Sequence, residues 1–181
     1  MSKKFYRITI EGLQRDLPLC PVNDKLDIAA FVIFSDVEMT IACAKGLLAR
    51  APEFDYIIVP EAKGIPLCYE MARQSGKQYY VARKSIKVYT TDPISVEVRS
   101  ITTARTQTLY LSGEEAEIIK GKRILIVDDV VSTGESLAAL EKLIDTAGGI
   151  VVAKAAVLAE GDAQNRDDII YLEKLPLFFH E

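Results

Sequence analysis

Residues 121–136 read GKRILIVDDVVSTGES, and the fold turns on them. Ile124, Leu125, Ile126 and Val127 form an unbroken apolar run. A strand covered on one face alternates, whereas an unbroken run suits a strand covered on both, as in a parallel sheet. Asp128 and Asp129 follow at the carboxyl end of that strand, where open α/β sheets place their ligands. Adjacent carboxylates repel, so the pair calls for a compensating partner. The vicinal hydroxyls of a ribose would donate to their lone pairs. Mg2+ held on the same hydroxyls or on a diphosphate would relieve the repulsion, mostly through water.

Ser132, Thr133, Gly134, Glu135 and Ser136 lie between the strand end and the next helix. Free backbone N–H groups and hydroxyls converge in such a turn, and a helix N-terminus favours a phosphate. Gly134 lets the backbone approach closely. Carboxylates for hydroxyls and an amide nest for a phosphate together describe a ribose 5-phosphate. A parallel-sheet protein with an ordinary strand-end Asp and a serine-rich cap explains a lone D-x-x-x-T-G, but not the whole run.

The neighbouring sequence keeps the same rhythm. Tyr56 to Val59 is a short buried strand, followed by Glu61, Ala62, Lys63 and Gly64. Pro66 to Ser75 is a helix with Leu67 and Met71 one turn apart, Gly76 suits its exit, and Tyr79 to Ala82 is a strand. Strand, turn, helix, strand is the βαβ unit of a parallel sheet. Residues 136–147 form a helix with Leu137, Leu140, Ile144 and Ala147 on one side, ended by Gly148 and Gly149. Ile150 to Leu158 and Ile169 to Leu172 are further strands, joined by an acidic loop at 160–168. Upstream, Phe5 to Ile10 is an edge strand and Leu17 to Asp24, with two prolines, an ordered loop. Ser35 or Asp36 caps a helix over 37–50 whose apolar stripe is Val37, Ile41, Ala44 and Leu48. Residues 83–111 break the rhythm and read as a long hairpin or excursion rather than core. From Lys77 to Arg105, six Lys or Arg stand against two Asp or Glu, which fits either a solvated face or an anion-handling flap.

Composition bounds the rest. The chain has 181 residues, 49% apolar and 27% charged, with net charge −4. That supports one hydrophobic core and excludes a chiefly disordered chain. Three cysteines (Cys20, Cys43 and Cys68) in no C-x-x-C spacing exclude a disulfide scaffold and suit a reducing cytoplasm. There is neither a signal-peptide pattern nor an 18-residue apolar run, so no membrane partner is expected. The acidic balance argues against nucleic acid as a partner. His180, the single histidine, is expected in a frayed terminus. Leu175 to Phe179 is expected to pack on the sheet or on the 160–168 loop.

Residues 124–136, ILIVDDVVSTGES, resemble the 13-residue signature of the type I phosphoribosyltransferases, which bind 5-phosphoribosyl 1-pyrophosphate (PRPP). The resemblance covers about residues 30–160. It implies a Rossmann-like α/β fold with a central, mostly parallel sheet flanked by helices, a small hood and a mobile flap. One domain would span 1–181, with its core at about 30–160 and the hood and flap at about 83–111. The terminal segments would add to the hood. By resemblance, Asp128 and Asp129 bind the ribose hydroxyls as the catalytic pair, without acting as nucleophiles. Ser132 through Ser136 grip the 5-phosphate, with Glu135 where adenine enzymes carry a second glycine and with its side chain expected to point outward. Val59 to Gly64, VPEAKG, resembles the family's pyrophosphate loop, which uses backbone amides and often a cis peptide. This assigns Glu61, Ala62, Lys63 and Gly64 to pyrophosphate. Arg83 and Lys84, with Lys87, resemble the R-K-x-x-K that opens the hood of adenine and xanthine enzymes. Lys84 and Lys87 would balance the leaving group, and Arg83 would reach across a homodimer interface.

The implied reaction is attack of a base nitrogen on the ribose anomeric carbon as pyrophosphate and Mg2+ leave, under a flap that excludes water. No direct protein ligand to the metal is assigned. The base stays open. Serine at 132, where hypoxanthine-guanine enzymes carry aspartate, favours the adenine and xanthine branch. The stretch Ser100 to Thr103, with Thr102 in the place of the adenine enzymes' glutamate, looks closer to xanthine enzymes. Phe34, in a stretch resembling the adenine enzymes' F-R-D, and Val130 complete the expected base contacts. Adenine leads, with xanthine or hypoxanthine-guanine as the alternative. A PRPP-sensing regulator that binds nucleic acid is a further alternative, although the chain has no spare segment for a helix-turn-helix. A phosphoacceptor receiver carries its paired aspartates early in the chain, unlike the pair here.

Overall fold

The computed structural model describes residues 4–99 and 106–180. The chain opens with strands β1 (Phe5–Ile10), β2 (Leu13–Asn23) and β3 (Leu26–Ala29), then helix α1 (Val37–Leu48). Strand β4 (Tyr56–Pro60), helix α2 (Ile65–Ser75) and strand β5 (Gln78–Ala82) follow. A hairpin, β6 (Ile94–Arg99) and β7 (Thr106–Leu111), leads through helix α3 (Gly113–Ile119) to β8 (Arg123–Val131) and α4 (Glu135–Thr146). Strand β9 (Ile150–Glu160), a 3₁₀ turn at Gly161–Asn165, β10 (Ile170–Leu175) and β11 (Leu177–Phe179) complete it.

Five strands form an all-parallel sheet in the order β10-β9-β8-β4-β5. Its central strand is covered on both faces, which is why 124–127 reads as an unbroken apolar run. Ile57, Val59, Leu125 and Val127 share a core with α1 and α2. Ile58, Ile124 and Ile126 face the opposite way, toward α3, α4 and the hairpin. Side chains two apart thus serve the same face. From β4 the chain crosses over α2 to β5, and from β8 over α4 to β9, in opposite directions along the sheet. The strand order therefore reverses between β4 and β8, and a crevice opens beyond their carboxyl ends. The pairing Ile58↔Ile126 sets the two loops after these strands side by side.

A second sheet, β1-β2-β3-β11, is antiparallel and joins both ends of the chain. Arg15 of β2 ties it to α1: its guanidinium donates to both oxygens of Asp36, at 2.6 and 2.9 Å, and to Glu38 at 2.8 Å. Asp36 also caps α1 by accepting from Met39 N. The Arg15 guanidinium holds its carboxyl below the usual range.

Several expectations need correction. Leu17 to Asn23 is strand rather than loop, and only Asp24 lies in a turn. β2 pairs with β1 up to Pro18 and with β3 from Leu19 onward, with a register shift after Pro21. Each proline thus falls where one side of the strand has no ladder to break. The buried face of α1 carries Met39, Thr40, Cys43, Ala44, Gly46 and Leu47, while Val37 and Ile41 are exposed. Small residues let the helix lie close to its neighbours, and Thr40 satisfies its hydroxyl on Asp36 O at 2.7 Å. Helix α3 was not foreseen, although Ser112 and Glu115 form the reciprocal capping box that marks its start. His180 is anchored rather than frayed: its N–H donates to Lys25 O, and Nε2 lies 3.0 Å from Asp27 Oδ2. Leu175 to Phe179 does both things expected of it, since β11 extends the antiparallel sheet while Leu177 packs against Gly161. Among the described residues, no helix is long and apolar enough to cross a membrane.

Leu140 of α4 is fully buried on the α3/α4 face. Leu140→Ala should lower stability by about 3 kcal/mol and the melting temperature by roughly 6–12 °C, measurable by thermal and denaturant unfolding.

Candidate active site

The crevice at the reversal point is built by two loops and the end of β8. β8 continues through both aspartates to Val131, so their carboxylates are fixed to a central strand rather than to a loop. Asp129 is buried at 3% exposure and Asp128 is half-buried. Asp129 N–H donates to Asp128 Oδ1 at 2.9 Å, which orients the first carboxylate. Lys63 Nζ lies 3.1 Å from Asp129 Oδ2. That oxygen nonetheless accepts no aligned hydrogen bond among the described residues, so it has a charge partner but no donor directed at it. Burial pushes the Asp128 carboxyl up, the neighbouring Asp129 charge adds to the rise, and Lys63 opposes it. Ionising both carboxylates together is therefore unfavourable unless a cationic or donating partner faces them.

The loop after β8 turns directly into α4. Gly134 is the cap residue, with φ +79°, a conformation that favours glycine. It carries no side chain to occupy the first-turn N–H groups of α4. Glu135 N–H donates to Thr133 Oγ1 at 3.4 Å. Ser132 and Thr133 are exposed, while Glu135 and Ser136 are half-buried. A cavity of about 130 Å³ is lined by Asp128, Val130, Val131 and Ser132 through Leu137.

The loop after β4 forms the opposite wall. Pro60, Glu61, Ala62, Lys63, Lys84, Asp128, Asp129, Val130 and Ser136 line an adjoining cavity of about 340 Å³. The Glu61–Ala62 peptide is cis. A Cβ on Gly64 would meet Val59 Cγ2 at 2.8 Å and Asp128 Oδ1 at 3.2 Å, so only glycine lets this loop lie against the aspartate. Glu61 turns its carboxylate toward the segment after β5: Lys84 N–H donates to Oε2 at 2.9 Å, and Arg83 Nη1 is 3.6 Å from Oε1. These contacts hold Glu61 below the usual carboxylate range, the Lys84 N–H foremost.

A family model described as a phosphoribosyl transferase domain matches residues 44–175. The chain belongs to that family. An adenine phosphoribosyltransferase of Rhodococcus jostii is 35% identical over 127 residues, covering 70% of this chain and 69% of that one. A hypoxanthine/guanine phosphoribosyltransferase of Methanocella arvoryzae is 31% identical over 145 residues, covering 80% and 69%. In structure, the adenine phosphoribosyltransferase of Thermoanaerobacter pseudethanolicus superposes with a TM-score of 0.67 at 22% identity, covering 94% and 95%. The architecture is the type I phosphoribosyltransferase fold, and the chain is a phosphoribosyltransferase.

In this phosphoribosyltransferase the crevice gathers Asp128, Asp129, Val130, Ser132 to Ser136, Glu61 to Lys63 and Lys84, with Gly64 packed behind. Other expected site residues lie apart. Lys87 Nζ donates to Ser85 Oγ at 2.9 Å and lines neither cavity. Arg83 also borders a separate cavity of about 360 Å³ with Tyr80, Tyr89 and Tyr110. Phe34 is exposed, outside both cavities. Thr102 lies outside the described residues. Sequence reasoning missed one residue next to the site. Arg166 places Nη1 against Gly134, and no local pattern in the acidic 160–168 loop announces it.

The raised Asp128 carboxyl makes a stability prediction with a definite sign. Below the unfolded pKa both states carry the proton and the group contributes nothing. As pH rises from about 4, the unfolded chain ionises first, so the native state loses stability until its own raised pKa is passed. Asp128→Asn removes this loss. The variant should melt above the wild type at pH 8, with the gap closing toward pH 4 in unfolding scans across that range.

Proposed function

We propose that the chain transfers ribose 5-phosphate from PRPP to a purine base, adenine first, releasing pyrophosphate. The observation that carries this reading is the joint placement of a buried carboxylate pair, an amide-lined turn and a lysine-bearing loop around one crevice. Asp128 and Asp129 would accept the ribose hydroxyls, and Ser132 to Ser136 with the α4 N-terminus would hold the 5-phosphate. Glu61, Ala62, Lys63 and Gly64, with Lys84, would take the pyrophosphate, chiefly through backbone amides and the two ammonium groups. Lys63 has a second part to play: it faces Asp129 in the free site, and a ribose donor there would release its charge to the leaving group.

The aspartates would favour the positive charge that builds on the ribose as the bond to pyrophosphate breaks. Neither is aimed to form a covalent bond. Residues of the hairpin segment 85–108 would cover the crevice and keep water from the same carbon. Mg2+ fits the donors present: Asp129 Oδ2 lacks a directed donor, and Lys63 offsets the charge on the pair only in part. Among the described residues no cluster of three His, Cys, Asp or Glu could hold a metal alone, so Asp128 and Asp129 would share it with substrate oxygens. When bound, it would neutralise the departing pyrophosphate.

Hypoxanthine or guanine is the second reading, favoured by the Methanocella relative. Xanthine rests on Ser132, on the Arg83, Lys84 and Lys87 pattern and on the stretch around Thr102. We also propose a homodimer. Val37, Ile41 and Tyr69 are exposed and line an apolar groove of about 480 Å³ between α1 and α2, a face that a second copy would cover. The three free cysteines suit a cytoplasmic enzyme.

The deciding assay supplies PRPP and Mg2+ with adenine, xanthine, guanine or hypoxanthine in separate reactions. Pyrophosphate release should be fastest with adenine, and Asp129→Asn should slow it by about 10²–10³-fold. Turnover with none of the bases while PRPP still binds would move the chain to the sensor reading or to a base outside these four. Light scattering should give twice the chain mass, and Ile41→Asp should halve it.

A further inference from the structure

Arg166 follows the 3₁₀ turn, far in sequence from the signature loop, and is held by a chain of ion pairs. Asp168 accepts from its Nε at 2.8 Å and Nη2 at 2.7 Å. Lys154 of β9 contacts the same carboxylate at 2.8 Å and reaches Glu141 of α4 at 3.3 Å. This chain links β9, α4 and the segment before β10, and it fixes the plane of the guanidinium. Asp168 occupies the Nε and Nη2 edge, while Nη1 is turned onto Gly134, where any Cβ would overlap it. Glycine at 134 is thus required twice, by its positive φ and by the arginine behind it. Arg166 is not among the residues lining the cavity over the loop, so it acts through the loop.

We propose that Arg166 is a positioning residue for the 5-phosphate. It backs Gly134, keeps Ser132 to Ser136 in the turn that presents their N–H groups, and adds positive charge behind the phosphate. Asp168 offsets part of that charge, so the guanidinium acts chiefly by backing Gly134, with Nη1 as the edge turned to the loop. The proposal rests on reading this loop as the 5-phosphate site. It predicts a selective effect, since the pyrophosphate side of the crevice is built by other residues.

The test is calorimetric binding of ribose 5-phosphate, ribose and pyrophosphate to the wild type, Arg166→Gln and Arg166→Lys at fixed ionic strength. Arg166→Gln should weaken ribose 5-phosphate about tenfold and leave pyrophosphate within about twofold. Arg166→Lys, which keeps the charge but not the fork, should fall between. If the wild type binds ribose as well as ribose 5-phosphate, the loop is not a phosphate site and the reading beneath the proposal fails. If the wild type discriminates and Arg166→Gln discriminates equally, the role of Arg166 is refuted. Equal weakening of both anions would also refute it, as a general structural defect. Should Arg166→Gln not fold, Arg166→Lys carries the same comparison.

Discussion

Two carboxylates side by side at the mouth of a buried strand are the constraint around which this protein is arranged. Asp128 and Asp129 sit on β8, the strand with apolar cover on both faces, so neither can swing into water to escape the other. The surroundings ease the repulsion only in part. One backbone N–H orients Asp128, and the half-exposed Lys63 approaches Asp129. Gly64 is bare because the opposite wall must come close to the pair. The native state therefore carries an electrostatic cost that a partner rich in hydroxyl donors or cationic charge would ease. Such stored cost favours binding over stability.

The central sheet was legible because its signals are local. Apolar runs bounded by glycine and proline mark β4, β5 and β8, and the sequence between them has helical period. The site loops follow from the same logic, since each begins at a strand end and is contiguous in sequence. What escaped the reading depends on partners far apart in the chain. Pro18 and Pro21 argue for a loop until it is known that β2 changes partner between β1 and β3. Val37 and Ile41 read as the core face of α1, yet that helix packs through Cys43, Ala44 and Gly46, whose small size matters more than their hydropathy. His180 is tied down by a strand 150 residues earlier. The α3 capping box, by contrast, is local, since Ser112 and Glu115 stand three residues apart.

The antiparallel sheet shows how a small element is fixed without a large core of its own. Arg15 joins it to the α1 cap, and Arg50 joins α1 to Glu11 at 3.0 Å and to Tyr171 O at 3.0 Å. Exposed pairs of this kind each contribute little. Their bidentate geometry at Asp36 and their position between elements make them registers rather than sources of stability. They set where the sheet stands against the start of α1 and the edge strand β10.

That division explains why the phosphoribosyl half of the site is readable and the base half is not. The proposed ribose and phosphate contacts are backbone amides and two acids, all within one strand-to-helix turn, so 13 consecutive residues carry that proposal. A purine offers a flat face and a few edge atoms. Discriminating adenine from hypoxanthine takes one or two correctly placed donors or acceptors, and the reversal of a single hydrogen bond suffices. Such groups can come from any segment that overhangs the crevice. Phe34 stands outside the crevice, and Val130 contributes a side chain with no polar atom. The strand-to-helix turn by itself therefore does not select a base, and relatives named for adenine and for hypoxanthine/guanine both match this chain.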